Sequence, residues 1–180
     1  IRSNRIEGLF TGLAVERVAA PAGTQGNSHR GRDRFRDRRV RGHRQGGGGH
    51  LSNAPVIRRV DTSQDLARFI DLPYRLHQRD LNWVPPFRAE VKKLLDRHHN
   101  PFFQHAEADY FLAERDGEVV GRIAAIHNYL HNEVHKDAVG FFGFWECIND
   151  FPVAAALFDT VGEWLKARGL DTMRGPMSFS

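Results

Sequence analysis

The sequence predicts an α+β domain whose sheet is mixed and mainly antiparallel, in the order β-α-α-β-β-β-α-β, behind a disordered basic tail. Three observations predict it. Residues 1–50 hold eleven Arg, no Lys, four acids and ten of the seventeen Gly, while the other 130 residues hold eleven of the thirteen Phe and all three Trp. Two β-rich runs meet at an Asp116-Gly117 pair, the dipeptide that tolerates the positive φ of a tight hairpin turn. Apolar residues recur at helical spacing on both sides of those runs, in 66–70 and in 154–165. A remainder of this size buries roughly two thirds of its unfolded surface, enough for one core. The expected organisation is therefore a leader over 1–53 and one domain over 54–180.

Each element has a local reason. Residues 54–60 (APVIRRV) are a short β-rich run. Thr62 and Asp65 then open a helix with a capping-box-like start, and Leu66, Phe69 and Ile70 form its apolar stripe. Pro73 lacks an N–H and is expected to break that helix near Leu72, leaving a second short turn over 74–78. Pro85 and Pro86 suit the first turn of another helix, with Phe87, Val91, Leu94 and Leu95 as its stripe. DYFLAER (109–115) and EVVGRIAAI (118–126) are the arms of the hairpin, and 138–148 (AVGFFGFWECI) is a third antiparallel strand. Its Gly140 and Gly143 point to a bulge or to the close approach of another backbone. Asn149 and Asp150 cap a helix with Pro152 in its first turn and Ala154, Leu157, Phe158, Val161 and Leu165 on its buried side. Gly169 ends it, and 172–176 is a last strand.

Composition narrows the function classes. Cys147 is the sole cysteine, so there is no disulfide framework and no zinc-type cysteine pair. The longest apolar runs are about eight residues, against the roughly 20 that a spanning helix needs. Gly8 to Val15 after Arg2 and Arg5 has the outline of a signal segment, but Glu7, Thr11 and the Glu16-Arg17 pair interrupt it. The expectation is a cytoplasmic protein with no membrane partner. Eight Arg between Arg30 and Arg44 would neutralise phosphates, yet only Phe35 is available for stacking, so a solvated linker is favoured over nucleic-acid binding. His127, His131 and His135 repeat every four residues and would align only on a helix. They are read as a polar connection between strands, and no metal is expected. His98-His99-Asn100-Pro101 reads as a helix end and turn.

Four strings add a resemblance: FIDLPYRLHQRDLNWVPPFRAE, NPFFQHAEADYFLAERDGEVVGRIAAIHN, GFFGFWE and MRGPMS. They resemble a bacterial branch of GNAT-like N-acetyltransferases, and the element order is similar to the N-terminal two thirds of the acyl-CoA N-acyltransferase fold. The resemblance implies acetyl-CoA as donor and a small-molecule or peptide amine as acceptor, in a C-terminally truncated domain. It implies that the fourth and fifth strands splay apart to admit the pantetheine arm, and that the turn into the next helix binds pyrophosphate through main-chain N–H groups.

Carried over residue by residue, the resemblance makes Glu146 the general base. Phe144, Trp145, Cys147, Asn149, Val153 and Ala154 become the cofactor wall and turn, and Arg79, Asn82 and Trp83 become acceptor contacts. This sequence departs from the family at 149–154 (NDFPVA), which has no Gly, places Asp150 beside the expected phosphates and gives Pro152 no N–H to donate. The R-x-x-G-x-G match at Arg44 to Gly49 lacks the strand and helix that the loop requires on either side. Two further readings stand beside transfer: an interaction module with the same fold, and nucleic-acid binding through the tail.

Overall fold

A computed structural model describes residues 16–17 and 54–179, so the reading of 1–53 as a disordered leader lies, apart from one dipeptide, outside the described residues. Strand β1 (Val56–Arg59) leads into helix α1 (Ser63–Leu76), helix α2 (Arg88–Leu94) and a 3₁₀ turn (Pro101–Gln104). Strands β2 (Ala106–Arg115) and β3 (Glu118–Asn128) follow, then helix α3 (Tyr129–His135) and strand β4 (Val139–Cys147). Helix α4 (Phe151–Lys166) and strand β5 (Thr172–Arg174) complete the order. β1 to β4 form one antiparallel run, β5 joins β4 in parallel, and Glu16–Arg17 pairs with the outer side of β5.

The sheet is the middle of three layers. On one face Phe69, Leu72, Val91 and Leu95 of the first two helices meet Tyr110, Leu112, Ala124, Ile126 and Phe141. On the other, Val153, Leu157, Val161, Trp164 and Leu165 of α4 meet Phe111, Ile123, Ala125 and Phe142. The carboxylate of Asp109 on β2 joins several elements. Its Oδ1 accepts from Arg59 at 2.8 Å and Arg97 at 3.0 Å, and its Oδ2 accepts from the Trp164 indole at 2.7 Å.

Local chemistry explains the boundaries. Thr62 Oγ1 accepts from the Asp65 N–H at 3.0 Å, the N-cap half of a capping box, and donates to the Asp65 carboxylate at 2.7 Å. Asp116 and Gly117 both have positive φ, 52° and 82°, as a type I′ hairpin turn demands. Asp150 caps α4, its side chain accepting from the Val153 N–H at 3.3 Å.

Three expectations need correction. Helix α1 does not break at Leu72; it runs through Pro73 to Leu76 as one helix. Proline removes the bond that its N–H would make to the carbonyl four residues earlier, here Phe69, and that carbonyl instead accepts from the Arg122 guanidinium at 2.7 Å. The orphaned acceptor is satisfied from the sheet, so the helix continues. Second, the polar connection at 127–137 contains helix α3, started by the Asn128 side chain accepting from the His131 N–H and stopped by Lys136 at φ 54°. Third, Pro85 and Pro86 precede α2 rather than form its first turn, and Phe87 is 76% exposed and contributes nothing to the core stripe. No described helix is long and apolar enough to cross a membrane.

Candidate functional site

The expected opening lies where β4 and β5 part. Val139, Gly140 and Phe141 pair with Thr172, Met173 and Arg174. Beyond them the Met177 N–H donates to the Phe142 carbonyl at 2.8 Å, and the chain then turns away to bury Phe179 among Phe102, Phe103, Tyr110 and Phe144. A Cβ on Gly143 would collide with the Met177 carbonyl, so glycine is what allows this crossing. Among the described residues, the stretch from Phe144 to Cys147 has no partner in β5.

A bulge decides what that open stretch presents. Ala124 opposes Gly143 and Arg122 opposes Glu146, so Phe144 and Trp145 together face the single residue Ile123. Phe144 takes a left-handed φ of 49° there, a conformation that a bulky residue holds only under strain. One inserted residue flips every later side chain to the other face. Phe142 faces the α4 layer, but Phe144 packs into the α1 layer, Trp145 and Cys147 return to the α4 side, and Glu146 emerges next to α1. Without the bulge Glu146 would point into the α4 layer.

Glu146 therefore enters a half-buried recess made by three elements. Its Oε2 is 3.3 Å from a terminal nitrogen of Arg122 on β3, and its Oε1 is 3.8 Å from Nε2 of His77 at the end of α1. Arg122 is 6% exposed, with its guanidinium 5.0 Å from the Phe69 ring centre and 5.8 Å from that of Phe144. Burial raises the Glu146 carboxyl above its ordinary value, opposed by the charges of Arg122 and His77. Burial likewise lowers Arg122, opposed by Glu146 and Tyr74. Both members are pushed toward their neutral forms, so desolvation outweighs their attraction. Neither Arg122 Nε nor Glu146 Oε2 has a hydrogen-bond partner, so the pair is not saturated.

Of the expected acceptor residues, Trp83 is the one brought toward this recess. Its ring lies 5.2 Å from that of His77 and edge-on at 5.4 Å to that of Tyr74, while the Tyr74 hydroxyl donates to the Pro86 carbonyl. Arg79 and Asn82 are exposed on the same connection, with the Asn82 N–H bonded to Asp80 at 2.9 Å. Leu81, Val84 and Phe87 beside them are 100%, 83% and 76% exposed, an apolar lip around Trp83.

The expected pyrophosphate turn is less open. The Val153 N–H goes to the Asp150 side chain and that of Ala154 to the Asp150 carbonyl. Val153 itself is fully buried. Arg115 holds the Asp150 carboxylate at 2.8 Å, which keeps that carboxyl below its usual range and offsets the charge expected to repel phosphate. Asn149 precedes this cap. Cys147 is half-buried, its thiol pushed up to about 11 by burial, so it stays protonated at neutral pH.

The histidines at four-residue spacing divide. The His131 and His135 rings are 4.3 Å apart on α3, while His127 on β3 meets Tyr129 and Glu107. Among the described residues no group of three or more candidate ligands is placed to hold a metal ion.

Sequence reasoning missed Arg122 and His77. A signal existed for Arg122, a single charge inside the apolar run VVGRIAAI, and for its partner the proline inside an otherwise helical pattern. His77 had none, because its approach to Glu146 depends on the bulge.

No family model matches the chain. Among curated proteins, it is 40% identical over 122 residues to a bacterial ceramide synthase of Caulobacter vibrioides, covering 67% of this chain and 32% of that protein. It is 35% identical over 130 residues to protein YghO of Escherichia coli, covering 72% of this chain and 33% of that one. The chain thus spans about one third of the length of these relatives. Among solved structures, it is similar to an aminoglycoside acetyltransferase from an uncultured soil metagenomic sample in complex with sisomicin. There the TM-score is 0.49 at 13% identity, over 72% of this chain and 80% of that one. For a GNAT-family acetyltransferase of Staphylococcus aureus the TM-score is 0.47 at 15% identity, over 66% and 71%. The parting of its fourth and fifth strands is what the resemblance implies, and by sequence the chain is a relative of the ceramide synthase and YghO over part of their length.

Proposed function

We propose that the chain belongs to an acyl-CoA-dependent N-acyltransferase in which Glu146 is the general base and the acceptor is an amine carrying a long alkyl chain. One observation carries the reading: the bulged, open end of β4 turns a partly desolvated carboxylate toward an aromatic lip while leaving its own main chain unpaired by β5. In the transfer, the amine nitrogen attacks the thioester carbonyl, Glu146 takes the nitrogen's proton, and the coenzyme thiolate leaves. Main-chain N–H groups along the open edge supply the polarisation that a developing oxyanion needs. Phe144, Trp145 and Cys147 form the wall for the pantetheine arm, and Arg79, Asn82 and Trp83 border the acceptor. At the far end, Asn149, Val153 and Ala154 offer their N–H groups to phosphate only when Asp150 releases the first turn of α4.

The acceptor class is supported by the relative named as a ceramide synthase, since a ceramide is a long-chain base acylated on nitrogen. The exposed Leu81, Val84 and Phe87 support it too, giving an alkyl chain an apolar path beside Trp83. The small donor, acetyl-CoA, and a longer acyl-CoA are separated directly by experiment. Thiol release by the complete gene product is followed with acetyl-CoA and palmitoyl-CoA, against sphinganine and against a small primary amine. Transfer to sphinganine that is lost in Glu146→Gln supports the reading; equal rates for the variant and the parent sink it.

A second reading, an interaction module without transfer, is favoured by one feature, the Val153 and Ala154 N–H groups being already used inside the helix. It predicts no rise in melting temperature at millimolar acyl-CoA, where a ligand at a hundredfold excess over Kd would add about 2.7 kcal/mol.

A further inference from the structure

Glu146 pairs with Arg122, whose second anchor traces back to one residue of α1. The Phe69 carbonyl, left free because Pro73 has no N–H, accepts from one terminal nitrogen of Arg122 at 2.7 Å, and the other lies 3.3 Å from Glu146. His77, whose main-chain N–H makes the ordinary helical bond to the carbonyl of residue 73, brings its imidazole within 3.8 Å of the same carboxylate.

We propose that Pro73 is a positioning residue for Glu146, acting through Arg122 by the bond it withholds from the Phe69 carbonyl.

The physical reason is one of degrees of freedom. An Arg carries five donors on a long, flexible stem, and a single unsaturated ion pair in a recess does not by itself fix its plane. The Phe69 carbonyl supplies the second anchor, and the guanidinium lies 5.0 Å and 5.8 Å from the Phe69 and Phe144 ring centres, which narrows its freedom further. Pro73 is itself buried in the last turn of α1, so contact with solvent does not account for a helix-breaking residue there. An alanine there would offer an N–H directed along the helix axis at the Phe69 carbonyl, in competition with Arg122. The charged and titratable groups facing Glu146 are Arg122 from β3 and His77 from α1, and Tyr74 acts in turn on Arg122.

The inference rests on Glu146 being the base, and its test is built to separate the two. In the complete gene product, Pro73→Ala is expected to melt at or above the parent temperature, because alanine restores helix propensity and a hydrogen bond. Its Glu146 carboxyl, followed by carbon-13 NMR, is expected to titrate at higher pH, by about a threefold to tenfold change in proton affinity, as Arg122 is drawn out of line. With palmitoyl-CoA and sphinganine, kcat falls about 10- to 100-fold and the acid limb of kcat/KM moves the same way. Arg122→Lys, which keeps the charge but cannot bridge carbonyl and carboxylate, repeats the titration shift should Pro73→Ala fold poorly. An unchanged Glu146 titration in a folded Pro73→Ala variant overturns the inference whether or not transfer is detected. A Glu146→Gln variant with full activity overturns the base assignment instead, leaving the titration result to stand on its own.

Discussion

The Glu146 carboxyl is pulled two ways, and the direction of the balance has consequences that can be measured. Burial raises it, while Arg122 and His77 pull it down without cancelling the rise. A base must be ionised to accept a proton, so the acid limb of kcat/KM is expected above the ordinary glutamate range of about 4.3. In Glu146→Gln that limb should vanish with the activity. For stability the sign is that of a raised acid: its contribution is present below the unfolded value and is lost as pH rises through the folded one. Asp150 behaves oppositely, since Arg115 lowers it, so its contribution is present above the unfolded value and lost as pH falls through the folded one. Asp150→Gly removes the carboxylate and frees the Val153 N–H, at a loss of about a few tenths of a kcal/mol in the cap. We expect it to bind acyl-CoA about threefold more tightly, the scale of one exposed charge contact, by calorimetric titration; weaker binding would place the phosphates elsewhere. The resemblance pointed to Glu146, and the departure of 149–154 from the family pattern pointed to Asp150. Their partners were not legible, because Arg122 and His77 are 24 and 69 positions from Glu146 in the chain and nothing local specifies that they meet it.

At the scale of elements, legibility followed how local the cause was. The Asp116-Gly117 hairpin, the Thr62 and Asp150 caps and the Gly169 stop are decided within a few residues, and each is found where the residues place it. Helix α1 is not decided locally, since its passage through Pro73 depends on Arg122 arriving from the sheet. The bulge at Phe144 was half legible: Gly143 marked the region, while the strained residue is its neighbour. Gly143→Ala tests the crossing itself. The added methyl meets the Met177 carbonyl, a backbone atom that cannot swing aside, so a cost of about 1–3 kcal/mol is expected by chemical denaturation. A neutral substitution would mean that 175–179 does not cross β4 there. Helix α3 offers the converse case. Lys136 ends it at φ 54°, a conformation that favours glycine, so Lys136→Gly is expected to raise stability by about 0.5–1 kcal/mol.

For the whole molecule, the question is what keeps the three layers in register, since the recess needs α1, β3 and β4 held to within an ångström or so. Close apolar packing resists slides without direction, and a buried carboxylate with three directional partners adds a specific constraint to it. Asp109 is 7% exposed and binds Arg59 at the end of β1, Arg97 after α2 and the Trp164 indole on α4, so one side chain joins both outer layers to the sheet. Asp109→Ala would leave the Trp164 N–H without its acceptor and two guanidinium groups without their counter-charge. Breaking a buried pair from one side costs about 3–5 kcal/mol, but Arg59 and Arg97 are 52% and 42% exposed and can turn to water. We therefore expect about 2–4 kcal/mol for Asp109→Ala, measured by chemical denaturation. Asp109→Asn should lose less, because its carbonyl oxygen still accepts from Trp164. If the Asn variant loses as much as the Ala variant, the charge rather than the indole bond is what joins the layers. If both lose under about 1 kcal/mol, register is kept by packing alone, and the precision of the Glu146 recess must come from the Pro73 turn and the bulge.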